Sequence, residues 1–343
     1  MADYITSALL AAQAKIRPAF NEAELRERQN PILRTGLANQ NFLLANIEDI
    51  KKSTKRAVKG YQFKKTAAVN GTARSHNFTG AQGDTMEVDL TWGTYSETFG
   101  LYLKTGADNV VNNAEILKNQ ISQAQRIIRE RMGAALVTAL HAGRTQTANT
   151  TVRNGTFNAA TDAFEVSNQD QFFAHLKSIM SQHKYYGNLD VVVDSVLDPF
   201  ARKIAAQGTA NGTNLAYQIQ GLNIMPHDIL GTDVAVSGYS DGGVALALPM
   251  NSFAFIPFVE EIYRKGHGSF DDFNGGYSTM PDETGLGVTY MFRGYAVKAD
   301  GSGNGGTVDD MLYHFQISAD VATQIADIST ADETPVYEFA LVG

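Results

Sequence analysis

The sequence predicts an α+β chain. Three observations carry this: an uninterrupted helical stripe over residues 113–142, period-two alternation in the segment before it, and a succession of short apolar strands after residue 188. At 343 residues the chain is long enough for about two or three domains. Hydrophobic residues make up 43% and charged residues 19%, the composition of a globular protein rather than a disordered one.

Residues 3–17 read as a helix: Asp3 can cap it, Ile5, Leu9, Ala12 and Ile16 share a face, and Pro18 stops it. Residues 21–59 hold short helical patterns broken by Asn30-Pro31 and Thr35-Gly36, a poor independent core that is stable when draped over something else. From residue 60 the character changes. Tyr61-Gln62-Phe63, Met86 to Leu90 and Thr94 to Phe99 alternate between two faces, as strands do. With Gly71, Gly80 and Gly83 as breaks, residues 60–106 read as a long, twisted β-excursion that carries the only tryptophan, Trp92.

Residues 113–142 are the clearest element. Asn112 with Glu115 three residues on is a helix-start signature. Leu117, Ile121, Ala124, Ile128, Met132, Ala135 and Ala139 recur every three or four residues, Ile116, Ile127, Leu136 and Leu140 widen the stripe, and Gly143 ends it. At ~1.5 Å per residue this is a rod of ~45 Å. Gly133, inside the rod, marks a close packing contact or a bend. A loop with a short hairpin follows over 144–166. A second helix spans 168–186, capped by Ser167 or Asn168, with Phe172, Phe173, Leu176, Ile179, Met180 and His183 on one face. The strand Leu189 to Val193 and a helix from Asp198-Pro199 through Ile204 open an α/β unit. Beyond the loop at 208–214 the expected strands are Asn223 to Met225, Val234 to Val236, Val244 to Leu248, Phe253 to Ile256, Thr289 to Phe292 and Tyr337 to Phe339. Glycine-rich loops fill 266–287 and 301–306.

The chain has no cysteine, which excludes disulfides, thiolate metal sites and a thiol nucleophile. No apolar run approaches the roughly 20 residues that span a bilayer, and the first residues, Met1-Ala2-Asp3-Tyr4, do not read as a secretory signal; no membrane partner is expected. The net charge of −8 is uneven: residues 1–65 hold 12 Lys/Arg against 6 Asp/Glu (+6), and the rest 16 against 30 (−14). The basic end is either a solvated face or an arm that lies on an acidic neighbour or on DNA.

The catalytic inventory is nearly empty, and no cofactor or metal is expected. Gly238-Tyr239-Ser240-Asp241-Gly242 fits the G-x-S-x-G nucleophile string, with His267 or His314 as a downstream base. That chemistry needs a strand-to-helix turn, and here the flanks read as strand and strand. The seven histidines do not cluster: His175 and His183 stand two helical turns apart. The acidic doublets Glu260-Glu261, Asp271-Asp272 and Asp309-Asp310 read as turn caps or solvated faces. Gly266-His267-Gly268 and Gly285-Leu286-Gly287 are bare G-x-G strings without a phosphate-loop lysine.

An arm, a β-excursion, a rod helix and then a compact α/β-to-β body form an order of parts that resembles the major capsid proteins of tailed phages, a fold shared with herpesvirus shell proteins and encapsulins. Asn113-Ala114-Glu115-Ile116-Leu117-Lys118-Asn119-Gln120-Ile121 is similar to a spine-helix opening. The resemblance implies an N-terminal arm at 1–59, an extended β-hairpin loop at 60–106, and a peripheral domain at 107–187 with the spine helix at 113–142. An axial domain at 188–300 and return strands to the peripheral domain at 301–343 complete it. It implies a non-enzymatic subunit that self-assembles as pentamers and hexamers into an icosahedral or elongated head around double-stranded DNA. Such a head is built in the host cytoplasm, with scaffolding, portal and decoration proteins as further partners. Contacts between copies are expected at Leu9 and Ile16 on the arm and at Trp92, Tyr95 and Phe99 on the excursion. The lysine, asparagine and glutamate that cross-link some shells have no match here. An encapsulin-like compartment, a tail or vertex component and a serine hydrolase using Ser240 are the alternatives.

Overall fold

The computed structural model describes residues 30–55, 58–64, 84–102, 113–144, 156–211, 221–227, 243–270, 272–298, 311–326 and 334–342. Helix α1 (Pro31–Leu43) starts on a proline at its first position, where the missing N–H costs nothing. It buries Ile32, Leu33 and Leu37, and Gly36 lets it close on Phe253 and Phe255: a Cβ there would stand 3.1 Å from the Phe255 Cβ. Helix α2 (Ile47–Lys52) is a short turn whose C-terminal carbonyls, at Lys51 and Ser53, accept the Arg264 guanidinium at 3.0 and 2.6 Å. Strands β1 (Lys59–Lys64) and β2 (Asp84–Asp89) form a two-stranded antiparallel sheet. Strand β3 (Gly93–Tyr102) leaves that pair and joins a larger sheet.

Helix α3 (Asn113–Ala142) runs the full 30 residues that the stripe predicted. Leu117, Ile121, Ile128, Met132, Leu136 and Leu140 are fully buried. In the last two turns the buried line passes through Leu136 and Leu140 rather than Ala135 and Ala139, which are half-buried. Gly133 is a close contact: a Cβ there would lie 2.2 Å from the Asn30 side-chain nitrogen. Strands β4 (Thr156–Asn158) and β5 (Ala163–Val166) form the expected short hairpin, and helix α4 (Phe172–Gln182) follows a 3-10 turn over Gln169–Gln171. The Asn168 side chain caps that turn by accepting from the Asp170 amide at 3.0 Å.

Strand β6 (Leu189–Val193) and helix α5 (Asp198–Asn211) follow, the helix continuing past Ile204 and Gly208. Then come β7 (Leu222–Pro226), β8 (Val244–Pro249) and β9 (Phe253–Phe258). The short helix α6 (Glu261–Lys265) precedes β10 (His267–Gly268), β11 (Gly276–Pro281) and β12 (Thr289–Lys298). Strand β13 (Met311–Ile325) and β14 (Tyr337–Leu341) complete the order. The expected strand at 234–236 and the Gly238–Gly242 string with Ser240 lie outside the described residues.

Two six-stranded sheets organise these parts. The mixed sheet has the order β4-β5-β14-β8-β6-β7, with β14 parallel to β5 and β6 parallel to β7. It is buried on both faces, which is why Leu-Asp-Val-Val-Val and Val-Ala-Leu-Ala-Leu are nearly continuous apolar runs. Val191, Val193, Ala245, Ala247 and Phe339 pack beneath α4 and α5, while Val192, Leu246, Leu248 and Met225 face the α3 core.

The second sheet, β10-β11-β12-β13-β3, is antiparallel, and β9 also pairs with β13. Its axis is β13, which pairs with β12 through Ser318, with β9 from Asp320 on, and with β3 along the other edge. Tyr313, Phe315, Ile317, Ala319 and Val321 point into the α3 core.

β9 to β12 belong to the antiparallel sheet, and their buried residues share the α3 core with Val192, Met225, Leu246 and Leu248 of the mixed sheet. Within 301–343, β13 joins the spine-helix sheet, but β14 inserts between β5 and β8 of the mixed sheet. There β14 pairs with β5 on one side and β8 on the other, and Tyr337, Phe339 and Leu341 complete the core under α4.

Candidate functional site

Among the described residues no group of three or more His, Asp and Glu side chains can hold a metal, and no helix is long and apolar enough to cross a membrane. The polar chemistry of the chain lies instead in buried ion pairs and in uncovered strand faces.

The first ion cluster ties the spine helix to the loop between β11 and β12. Ser122, Gln125 and Arg129 lie one turn apart on one face of α3. The Ser122 hydroxyl donates to Glu283 Oε2 at 2.6 Å, the Gln125 amide donates to the Pro281 carbonyl at 3.2 Å, and the Glu283 amide donates back to Gln125 Oε1 at 3.0 Å. Arg129, 3% exposed, donates to Asp282 Oδ1 and, at 3.0 Å, to Glu283 Oε1. Asp282 also accepts from the Tyr290 hydroxyl at 3.1 Å and from the Thr284 and Leu286 amides at 2.9 and 3.1 Å. Burial pushes the Asp282 carboxyl up, but the Arg129 charge and the Thr284 and Leu286 donors outweigh it and hold it below the usual carboxylate range. Burial, and next the Asp282 charge, drives the Tyr290 hydroxyl well above its ordinary value. Every member thus has partners inside the chain, and the cluster fixes the register of α3 against the sheet.

A second cluster closes the far end of the helix. Glu338 on β14, 1% exposed, stands 2.6 Å from Arg144 Nε and 3.4 Å from His141 Nε2. On the opposite face of β14 the Tyr337 ring lies 4.6 Å from the His183 ring. β14 therefore joins the spine helix to the α4 layer.

The β1–β2 ribbon is tied to the body at its base, and Gln62 on its inner face is buried. The Asn46 amide donates to the Lys59 carbonyl at 3.0 Å, its carbonyl accepts from the Tyr61 amide at 3.0 Å, and Leu44 packs over Gly60. The outer face carries Phe63, 82% exposed, and Tyr61, 40% exposed, beside a Lys59–Glu87 ion pair of 2.9 Å. A lone two-stranded ribbon is marginal in water, and exposed aromatics on it are apolar area waiting to be covered.

The residues that the sequence singled out for contacts are placed unevenly. Leu9 and Ile16 lie outside the described residues. Trp92, Tyr95 and Phe99 are half-buried on their own chain: Trp92 stacks 5.1 Å from Phe258, Phe99 lies 5.6 Å from Phe315, and Tyr95 packs on the main core with its hydroxyl pushed up by burial. The more exposed aromatics, Tyr61 and Phe63, lie in the alternating Tyr61-Gln62-Phe63 string. No signal in one strand says which face its own subunit covers.

A long helix packed against two six-stranded sheets, with a separate two-stranded ribbon, defines an α+β class of fold. The particular match is a chain of the cyanophage A-1(L) capsid asymmetric unit. It is similar over 90% of this chain and 92% of that one, with a TM-score of 0.52 at 11% identity, so the chain has the phage capsid fold. Chains from Mycobacterium phage Che8 (TM-score 0.46, 10% identity, 88% and 90% covered) and Mycobacterium phage Bobi (0.44, 10%, 85% and 87%) are also similar. No protein-family model and no curated protein matches the sequence.

Proposed function

We propose that this chain is the major capsid subunit of a tailed bacteriophage, a non-enzymatic protein that assembles with copies of itself into a head around double-stranded DNA. The likeness to the cyanophage capsid chain, which runs through nine tenths of both chains rather than through one domain, carries this reading. The ribbon supports it, since Phe63 buries little against its own subunit. In this reading residues 1–59 act as an arm, and the ribbon inside 60–106 reaches a neighbouring copy within pentamers and hexamers. Contacts fall on Leu9, Ile16, Tyr61 and Phe63, and on the exposed parts of Trp92, Tyr95 and Phe99. Assembly takes place in the host cytoplasm, with scaffolding, portal and decoration proteins as further partners. Electron microscopy of the purified full chain tests it. Closed polyhedral shells are the expected result, and a compact monomer that persists at high concentration removes the proposal.

A further inference from the structure

The face of the antiparallel sheet that points away from α3 has an unusual lining. Antiparallel sheets commonly present one face to water, and such faces carry charged side chains of both signs. Here the register aligns Thr98, Gly100 and Tyr102 of β3 with Gln316, His314 and Leu312 of β13, and these with Arg293 and Tyr295 of β12. Together they line a groove of about 820 Å³. Among the described residues no lysine and no carboxylate lines it.

Arg293 is exposed, with its guanidinium 5.0 Å above the Tyr277 ring, so that ring holds the cation up from the sheet. The Tyr295 ring lies 5.3 Å from His314, and on the other side of His314 Gly100 presents no side chain. Glu260 and Asp320 bear on Tyr263 at the α6 end, and Asp320 is buried and accepts from the Thr94 hydroxyl at 2.6 Å.

An arginine, a histidine, tyrosine and threonine hydroxyls and a glutamine amide, with no acid among them, are the donor types that bind phosphate oxygens without reading bases. We infer that this groove is the surface on which the subunit meets the phosphate backbone of double-stranded DNA, which places the open face of the sheet toward the interior of the shell. The inference rests on the capsid reading and adds to it which face looks inward. Each copy supplies a weak, sequence-independent contact, and a closed shell repeats it many times.

The test compares the full chain with Arg293→Glu and with Lys203→Glu, an equal charge change at an exposed position on α5, which packs on the mixed sheet. Binding of a fluorescent 30-base-pair duplex of mixed sequence is read by anisotropy at ~50 mM salt, with particle formation followed in parallel by electron microscopy. Arg293→Glu is expected to weaken binding by about tenfold and to lower the salt slope by about one, while Lys203→Glu changes affinity less than about twofold. Arg293→Gln, which removes the charge without reversing it, gives an intermediate loss. Equal losses in the two charge reversals, a larger loss in Lys203→Glu, or no duplex binding by the parent chain overturns the inference. Shells that form normally while the groove fails this test leave the capsid reading standing, whereas absence of shells in the parent chain removes that reading itself.

Discussion

Replacing Arg129 with methionine keeps an unbranched apolar stem but deletes the guanidinium and its charge, leaving Asp282 and Glu283 without their cation against α3. Removing one partner of a buried ion pair costs about 3–5 kcal/mol, because the other charge stays buried and uncompensated. Asp282 keeps the Thr284 and Leu286 amides and the Tyr290 hydroxyl, and Glu283 is partly exposed, so the lower end of that range applies, about 3 kcal/mol. The loss depends on pH. The folded Asp282 carboxyl titrates below its unfolded value of about 3.9. Its contribution is therefore fully present above that value and is lost as pH falls through the folded one. The gap between parent and variant should be widest near neutrality and narrow in acid. Equilibrium urea unfolding of the full chain, held below its assembly concentration and followed by far-ultraviolet circular dichroism at several pH values, measures this. A variant within about 1 kcal/mol of the parent at neutral pH, with an unchanged acid limb, would refute the assignment of Arg129 as the clamp.

Other substitutions test neighbouring parts of the argument. Asp190 is fully buried, and burial raises its carboxyl above the ordinary range despite the Asn223 amide at 2.8 Å. The ionised form thus costs stability once pH exceeds the unfolded value, so Asp190→Asn should stabilise near neutrality and not in strong acid, as read by melts across pH. Gly294→Ala places a Cβ 2.6 Å from Phe315 Cδ1, and the overpacking should cost about 1–3 kcal/mol, seen as a lower melting temperature. Phe63→Ser should leave the melt of the unassembled chain within about 0.5 kcal/mol and reduce the yield of particles by sedimentation. An unchanged yield would show that the ribbon is not a contact between copies.

The elements with a strong local period were legible in the sequence. The spine helix is bounded as its stripe and Gly143 require, and the doubly buried strands β6 and β8 stand where the apolar runs placed them. Strand β13 was missed although Tyr313, Phe315, Ile317, Ala319 and Val321 alternate with Leu312, His314, Gln316, Ser318 and Asp320. Its polar half and the neighbouring glycine loop hid a period that counting would have found. β11 was lost inside a glycine-rich stretch for a related reason: Gly276 and Gly294 face each other across the pair so that Phe270 can pack over them. The clamp was not legible at all. Arg129 and Asp282 are 153 residues apart, and nothing local marks Asp282-Glu283 as different from the solvated acidic doublets. The same limit applies to Trp92, Tyr95 and Phe99, whose alternation is clear but whose covering comes from β9 and β13.

These failures share a cause that bears on function. Local patterns say that a strand has an apolar face; only pairing over long sequence distances says whether the same chain covers it. In this protein most apolar faces are covered at home, by α3 and by α4 and α5 on either side of the mixed sheet. The ribbon is one exception beside the exposed Phe42, Tyr186 and Phe273: Asn46 and Leu44 secure its base, and nothing among the described residues covers Phe63. A subunit that must remain folded before it assembles needs this division. A self-sufficient core keeps the unassembled chain in one shape, and the marginal ribbon gains its stability only when another surface removes its aromatics from water. Substitutions in the clamp should therefore act on the free chain and the particle alike, whereas those on the ribbon should act on the particle alone.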